Sequence, residues 1–461
     1  MGEQRRRKQA GYSQPAGFLE RPAAGCLFLT LVILTLVGVG NVVVVGLVGL
    51  LLCAAGCLQK SAKVDLWIFL PLAAYNVISM ISSQVVYGNI ILSYGSTQII
   101  WPLLYLLAAT LDNREQVLLR RLCTFWVGAV ALHGVGQFAY LALTTGARRL
   151  SGLLGNPNAM GIFLVIGWFA SVSAAEEENE KPRFAQLLRC LEPVMLLALS
   201  LTLSMGSFLS LAVGMAVLIL RKENSWPDRF RFACCVLAKA ALAMGTGILT
   251  YLAASRTDYP WFCLVTLAYG GIVIFCWPAF ERFLTDRPRI AALTSAAGVL
   301  VAGAAVAVRP SSLATFAERL AMMRNGCRYL FRNPLLGVGP YQWRLLNLND
   351  DDKYFNTYHI HNVLIHVGVE LGLIAMAALI VIVVRFWRKK SSPERQGGFA
   401  AFCFHCMMDT GFFYLGITGL TMLTLGDPRQ GGRTIGTRAL RLILAAFAAL
   451  FIYNVIRMTG G

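Results

Sequence analysis

Apolar blocks of about twenty residues recur along almost the whole chain, and this repetition limits the fold more than any other feature. They run at about 25–58, 64–86, 88–111, 117–143, 159–175, 190–220, 233–254, 258–280, 290–308, 361–386, 399–425 and 438–456. About 20 apolar residues are what a helix needs to cross a hydrocarbon core of roughly 30 Å. Inside lipid, helices keep every backbone group bonded within one segment. Three blocks are too long for one crossing; 190–220 would reach about 46 Å as a single helix, at about 1.5 Å per residue. Splitting it near Ser204-Met205-Gly206-Ser207, 25–58 near Gly38-Val39-Gly40-Asn41, and 399–425 near Asp409-Thr410-Gly411 gives about 12 to 15 spans. Charged residues are only 14% of the chain against 57% apolar, whereas soluble domains carry about 25% charged. The expected fold is therefore an all-α polytopic membrane helix bundle of about 12–15 spans with one large extracytoplasmic loop.

The net charge of +18 is explained by loop position, so nucleic acid is not an expected partner. With the N-terminus inside, the basic loops Gln59–Lys63, Arg114–Arg121, Lys181–Arg189, Arg221–Arg231, Arg282–Arg289 and Arg385–Arg395 all fall on the cytoplasmic side, as the positive-inside rule requires. The division expected is a cytoplasmic basic tail at 1–24, transmembrane helices at 25–308, an extracytoplasmic loop with the active-site residues at 309–360, and C-terminal transmembrane helices at 361–461. Arg5, Arg6, Arg7 and Lys8 precede an apolar run too long for a signal-peptide core, so that run is expected to stay as an anchor. The twelve cysteines lie mostly inside apolar blocks, as at Cys234-Cys235 and Cys403-Cys406, and read as packing residues.

Four groups of residues carry chemical content. The first is Tyr358-His359-Ile360-His361-Asn362, where the long loop enters a helix. From there a helical repeat puts Asn362, His366 and Glu370 on one face. An outward-facing pocket, an interhelical hydrogen-bond network and a metal site on His359-x-His361 are the three readings. The second is Arg319 with Arg324, Arg328 and Arg332, upstream of Asn333-Pro334-Leu335-Leu336-Gly337-Val338-Gly339-Pro340. Arginines on the outer side run against the charge rule. An anionic ligand explains them, since a guanidinium forks onto phosphate oxygens; a solvated loop or headgroup anchor is the alternative. The third is Arg148-Arg149-Leu150-Ser151-Gly152, leading to Asn156-Pro157-Asn158, which reads as a helix start. The fourth is His405 and Asp409, one turn apart in an apolar block: a proton relay or an internally satisfied structural pair. Gly38-Val39-Gly40 lacks the strand that a dinucleotide loop needs, and Asp350-Asp351-Asp352 reads as solvated loop.

Taken in order, these residues resemble the O-antigen ligase and O-antigen polymerase superfamily of bacterial envelope enzymes. The likeness lies in Arg149 to Gly152 followed by Asn156-Pro157-Asn158, in Arg319, in Pro334-x-x-Gly337-x-Gly339, and in His361-Asn362 followed after nine residues by Gly372. It covers roughly residues 140–425. One departure stands out: where the family often has Ser-Arg-Gly, with an arginine thought to contact diphosphate, this chain has Ser204-Met205-Gly206. Arg148, Arg149 or Arg256 then supplies the charge, or the leaving group is held differently.

The resemblance implies a glycosyltransferase-type ligase or polymerase of polysaccharide or lipopolysaccharide biosynthesis in the cell envelope. It would move a glycan from an undecaprenyl-diphosphate donor to a sugar hydroxyl on a glycan or lipid-linked acceptor, inverting and without metal or other cofactor. The enzyme would be a multi-pass protein of the cytoplasmic (inner) membrane among membrane lipids, with its N-terminus inside and its active site outward. The expected catalytic residues are His361, as base oriented by Asn362, and Arg319, as cation at the leaving phosphate. His359 is the alternative base. Arg148, Arg149, Asn156, Asn158, His359 and Asn362 are the expected substrate-binding residues. The rival reading is a transporter or flippase for a lipid-linked or anionic solute, motivated by His133, Glu370, His405 and Asp409 within apolar blocks. A non-catalytic scaffold would leave the arginines and histidines far apart.

Overall fold

The computed structural model describes residues 22–177, 182–222, 225–256, 258–308, 311–349 and 357–460. Leaving aside the short pieces Gly95–Gln98 and Ile100–Ala108, the α-helices in chain order are α1 (Pro22–Val37), α2 (Val42–Cys57), α3 (Leu66–Tyr87), α4 (Asn113–Thr144), α5 (Pro157–Glu176), α6 (Pro182–Leu201), α7 (Met205–Lys222) and α8 (Trp226–Ala254). They continue with α9 (Phe262–Phe275), α10 (Trp277–Asp286), α11 (Pro288–Val308), α12 (Ser311–Arg332), α13 (Gln342–Asn349), α14 (Val363–Arg388), α15 (Pro393–Cys406), α16 (Leu415–Thr424) and α17 (Thr437–Thr459). Two short strands, β1 (Ser61–Val64) and β2 (Arg433–Gly436), pair antiparallel with Ser61 opposite Gly436 and Val64 opposite Arg433.

All three overlong apolar blocks break where the sequence suggests. Gly38 and Gly40 take positive φ, and Asn41 then caps α2, its side chain accepting from the Val43 and Val44 N–H groups at 3.1 Å. The α6–α7 corner turns at Leu203, φ +48°, and α15 ends at Cys406, just short of Asp409. Among the described residues eight helices are long and apolar enough to cross a membrane, or up to nine if the pair α9 and α10, bent by 65°, is one broken span. The chain is thus an all-α multi-pass membrane bundle. The expected 12–15 spans exceed this number because the breaks leave apolar pieces of 10–17 residues, such as α1, α2 and α16, below the single-crossing length.

Close approaches position the site. Gly214 of α7 lies against Gly397 of α15, where a Cβ would meet the opposing carbonyl oxygen at 2.6 Å. Gly161 of α5 lies against Ser207 of α7, where a Cβ would run into the Ser207 hydroxyl. Small residues let helix axes approach where lipid offers no hydrophobic drive, and here they hold α5 and α15 close along α7. The expected loop at 309–360 holds two helices, α12 and α13. Met322 and Leu330 of α12, Trp343 of α13, Ile360 and Val369 form one buried apolar cluster that packs this segment onto the first half of α14. Arg5 to Lys8 of the basic tail, Arg309 and Asp350 to Asp352 lie outside the described residues.

The glycine motifs acquire a backbone explanation. α14 is broken at Gly372, φ +83° and ψ 177°. The Pro334–Gly339 turn docks into the break: Leu373 N–H donates to Pro334 O at 2.7 Å, Val338 N–H to Val369 O at 2.8 Å, and Gly339 N–H to Glu370 O at 2.9 Å. A helix interrupted in a span must have its freed groups bonded again, and this turn supplies the partners.

Candidate functional site

Asp409 sits just beyond the end of α15, where its N–H still bonds to His405 O at 2.7 Å but its side chain has left the helix. Its carboxylate is nearly buried, with 5% of the side chain exposed. Oδ2 accepts from Asn158 Nδ2 at 2.8 Å and from Arg319 Nη2 at 3.3 Å. Oδ1 accepts from the Thr410 N–H at 2.8 Å and the Thr410 hydroxyl at 3.3 Å. His361 Nδ1 lies 3.5 Å from Oδ1, within ion-pair range but long for a hydrogen bond, and has no other partner among the described residues. One carboxylate therefore gathers residues from all four sequence groups. Arg319 and His361, expected as the catalytic pair, meet at Asp409, a residue the sequence reading does not place in the transferase site.

Each neighbour is held from behind. Asn156 caps α5, its Oδ1 accepting from the Asn158 N–H at 2.8 Å and the Ala159 N–H at 3.3 Å, with Pro157 in the first turn. That cap fixes where Asn158 points. Arg149 donates from Nη2 to Asn158 Oδ1 at 3.0 Å and from Nε to Thr202 O at 2.9 Å. Ser207 Oγ donates to Asn158 O at 3.3 Å and lies 2.9 Å from Ser204 Oγ. The Ser204-Met205-Gly206-Ser207 corner is thus tied to the same network. All three arginines expected to serve that corner are exposed, and Arg149 is the one that bonds to it, through Thr202 O and Asn158. The N-termini of α5, α7 and α14 converge here, and each helix N-terminus carries roughly half a positive charge. With Arg149 and Arg319 and three helix N-termini around the Asp409 carboxylate, the local field favours an anion.

Asn362 has a different task from the one expected. Its Oδ1 accepts from the Ile365 N–H at 3.0 Å, capping α14, and its Nδ2 donates to Met407 O at 3.4 Å. It ties the start of α14 to the Asp409 corner, and Asp409, not Asn362, faces the His361 ring. Of the four α12 arginines only Arg319 reaches the carboxylate; Arg324, Arg328 and Arg332 lie on the exposed face.

His359 is stacked on Phe413, with ring centroids 4.4 Å apart, and lies 4.9 Å from His366. Burial, with the nearby His361 second, pushes its imidazole down to about 4 from the ordinary 6.5. A folded-state value below the unfolded one means that the unfolded chain binds more protons between these limits. Stability is then whole above about pH 6.5 and is lost as pH falls towards 4. The melting temperature in detergent is expected to drop across that window, and to drop less in His359→Phe, which keeps the stack. Equal pH slopes in the two proteins would remove His359 from this role.

Glu370 and His366, expected on one helix face, form a closed network with no exposed side-chain area. Glu370 accepts from Tyr94 Oη at 2.6 Å and the Tyr341 N–H at 2.8 Å on Oε2, and from the Trp343 N–H at 3.0 Å on Oε1. His366 Nδ1 accepts from the Ile360 N–H at 3.3 Å, so its own proton sits on Nε2 and points to Tyr94 Oη, 2.9 Å away. Tyr94 passes the polarity on to Glu370. This network anchors the Tyr341–Trp343 turn on α14. Among the described residues no three His, Cys, Asp or Glu side chains gather as a metal site. No protein-family model and no curated protein matches this chain.

Proposed function

We propose that this chain is a membrane glycan transferase. It takes a glycan from a polyprenyl-diphosphate donor of the undecaprenyl type and passes it to a sugar hydroxyl of a glycan or lipid-linked acceptor. The observation that carries the reading is the meeting of Arg319, Asn158 and His361 at the Asp409 carboxylate. Family resemblance enters through the motifs alone.

In this mechanism Asp409 faces His361 Nδ1, so Nε2 is left to take a proton. Nε2 accepts the acceptor hydroxyl's proton as its oxygen bonds to the anomeric carbon. The bond from that carbon to the donor phosphate oxygen breaks, and its electron pair leaves with the diphosphate. Asp409 stabilises the imidazolium that forms. Arg319 uses one of its N–H donors on Asp409 and keeps the rest for phosphate oxygens. Preorganised cations and helix N-termini stabilise charge that develops only as the leaving group departs. The basic loops support a site on the outer face of the cytoplasmic membrane.

The break in α14 beside Glu370 is the observation that most favours a transporter or flippase, since carriers often bind at broken helices. Glu370 is fully buried and already engaged by three donors, which leaves it little for a solute.

Reconstitution with a lipid-linked glycan tests the proposal. New glycosidic bonds are expected, either extending the donor glycan or joining it to a second acceptor. His361→Ala should lower the rate about 10²–10⁴-fold at an unchanged protein level in the membrane. Arg319→Lys keeps the charge but loses the planar fork, and a loss of about tenfold or more is expected. Solute movement across the bilayer with no new glycosidic bond would favour the transporter instead.

A further inference from the structure

His405 is fully buried, and neither of its ring nitrogens has a hydrogen-bond partner among the described residues. It is not the satisfied partner of Asp409 that its spacing suggests, because the carboxylate is turned to Asn158, Arg319 and Thr410. Buried polar atoms are nearly always bonded, and one that is not needs an explanation.

The two sides of the ring differ. Nδ1 faces Gly411, where a Cβ would come within 2.9 Å of it. Nε2 faces Gly206, in the first turn of α7. Gly206 is itself buried, yet a Cβ built on it meets only the His405 ring, at 3.9 Å from Cδ2 and 4.0 Å from Nε2. A gap of about one heavy atom therefore lies between the imidazole and the opening turn of α7. In the first turn of α7 the Ser207 N–H is already capped by Ser204 Oγ at 3.4 Å and the Phe208 N–H bonds to Ser204 O at 3.0 Å, which leaves the Met205 and Gly206 N–H groups, at a helix end whose dipole favours an anion. The gap belongs to the site already described. Gly206 adjoins Ser207, whose hydroxyl bonds to Asn158 O, and Asn158 bonds to Asp409, whose N–H bonds to His405 O.

We infer that His405 Nε2 and the first turn of α7 form a subsite for one phosphate oxygen of the ligand, which makes His405 a substrate-binding residue. The inference rests on the transferase reading and deepens it: a neutral donor and a helix N-terminus stand where Met205 offers no charge. A phosphate oxygen can come from the lipid diphosphate or from free pyrophosphate, and both are used in the test.

Pyrophosphate binding to the full chain in detergent is measured first, for the wild type, Gly206→Ala, His405→Phe and Arg319→Ala. Gly206 has ordinary helical geometry and open space ahead of it, so Gly206→Ala is expected to melt at or above the wild-type temperature. It fills the gap, so its pyrophosphate Kd should rise about tenfold or more. His405→Phe keeps the ring and loses the donor, and a similar rise is expected. With lipid-linked donor, both variants should raise KM with little change in kcat. Wild-type affinity in Gly206→Ala and His405→Phe together with a loss in Arg319→Ala would overturn the subsite and leave the transferase reading intact. A wild-type protein with no affinity for pyrophosphate would overturn the subsite and weaken that reading as well.

Discussion

Asp409→Asn is expected to slow glycan transfer about 10²–10⁴-fold, the range over which general acid–base groups act. The substitution is isosteric, so the loss would come from charge and polarity. A carboxylate accepts on both oxygens, and here both are used: Oδ2 by Asn158 and Arg319, Oδ1 by Thr410. An amide has one acceptor and one donor end, so one side of the substituted side chain must point N–H groups at N–H groups. Leaving such buried donors unmatched costs about 1–3 kcal/mol, and the melting temperature should fall accordingly. The larger effect is on chemistry, because the imidazolium of His361 loses the only anion beside it among the described residues. Initial rates in proteoliposomes at saturating donor, normalised to folded protein, separate the two effects. A variant that transfers at the wild-type rate would remove Asp409 from the site.

Gly372→Ala is expected to prevent the chain from accumulating as folded protein. Its φ of +83° is strained for any residue with a Cβ, at about 1–2 kcal/mol. That Cβ would also lie 2.0 Å from Leu335 O and 2.3 Å from Leu335 C. Both are backbone atoms, so no side-chain rotation relieves the clash. The Pro334–Gly339 turn would have to undock, giving up its three bonds to α14, and the total exceeds about 4 kcal/mol, the range of severe single substitutions. Gly337→Ala meets Glu370 C at 2.3 Å and should fail in the same way. Gly136→Ala is the control, because Gly136 lies in α4 with open space around its missing side chain and alanine favours a helix. Monodisperse protein after detergent extraction is the readout. A Gly372→Ala protein that melts with the wild type would contradict the docked turn.

The sequence was most legible where one residue type decides the outcome. Gly38-Val39-Gly40-Asn41 and Ser204-Met205-Gly206-Ser207 are unusual inside apolar runs, and the helices break there because a cap or a positive φ is required. Arg319 stands out because an arginine on the outer side runs against the charge rule, and His361 because ionisable groups leading into an apolar block are costly. The number of spans was less legible, because hydropathy cannot tell one long span from two short helices meeting at a corner. The α12 helix was also missed, although Arg324, Arg328 and Arg332 fall at a four-residue spacing, along one face of a helix.

Asp409 shows why part of the site stayed hidden. Its spacing from His405 is that of two residues facing each other on a helix, but α15 stops at Cys406 and turns the carboxylate elsewhere. Its true partners are 251, 90 and 48 positions away, the last counted from His361 to Asp409. Local periodicity carries no information at such separations. A usable signal did exist: an acidic residue beside Thr410-Gly411 at a break in an apolar block. The role of Asn362 was misread for a related reason. A residue next to a histidine looks like its partner, whereas an asparagine before a helix more often caps it.

The central claim is that Asp409 acts through His361, and a double-mutant cycle on the transfer rate addresses it most directly. Rates are compared for the wild type, His361→Ala, Asp409→Asn and the double variant. Asp409 acting through the imidazole predicts that the double variant is no slower than His361→Ala alone, since nothing remains for the carboxylate to orient. Losses that multiply would place the two residues in independent roles and contradict it.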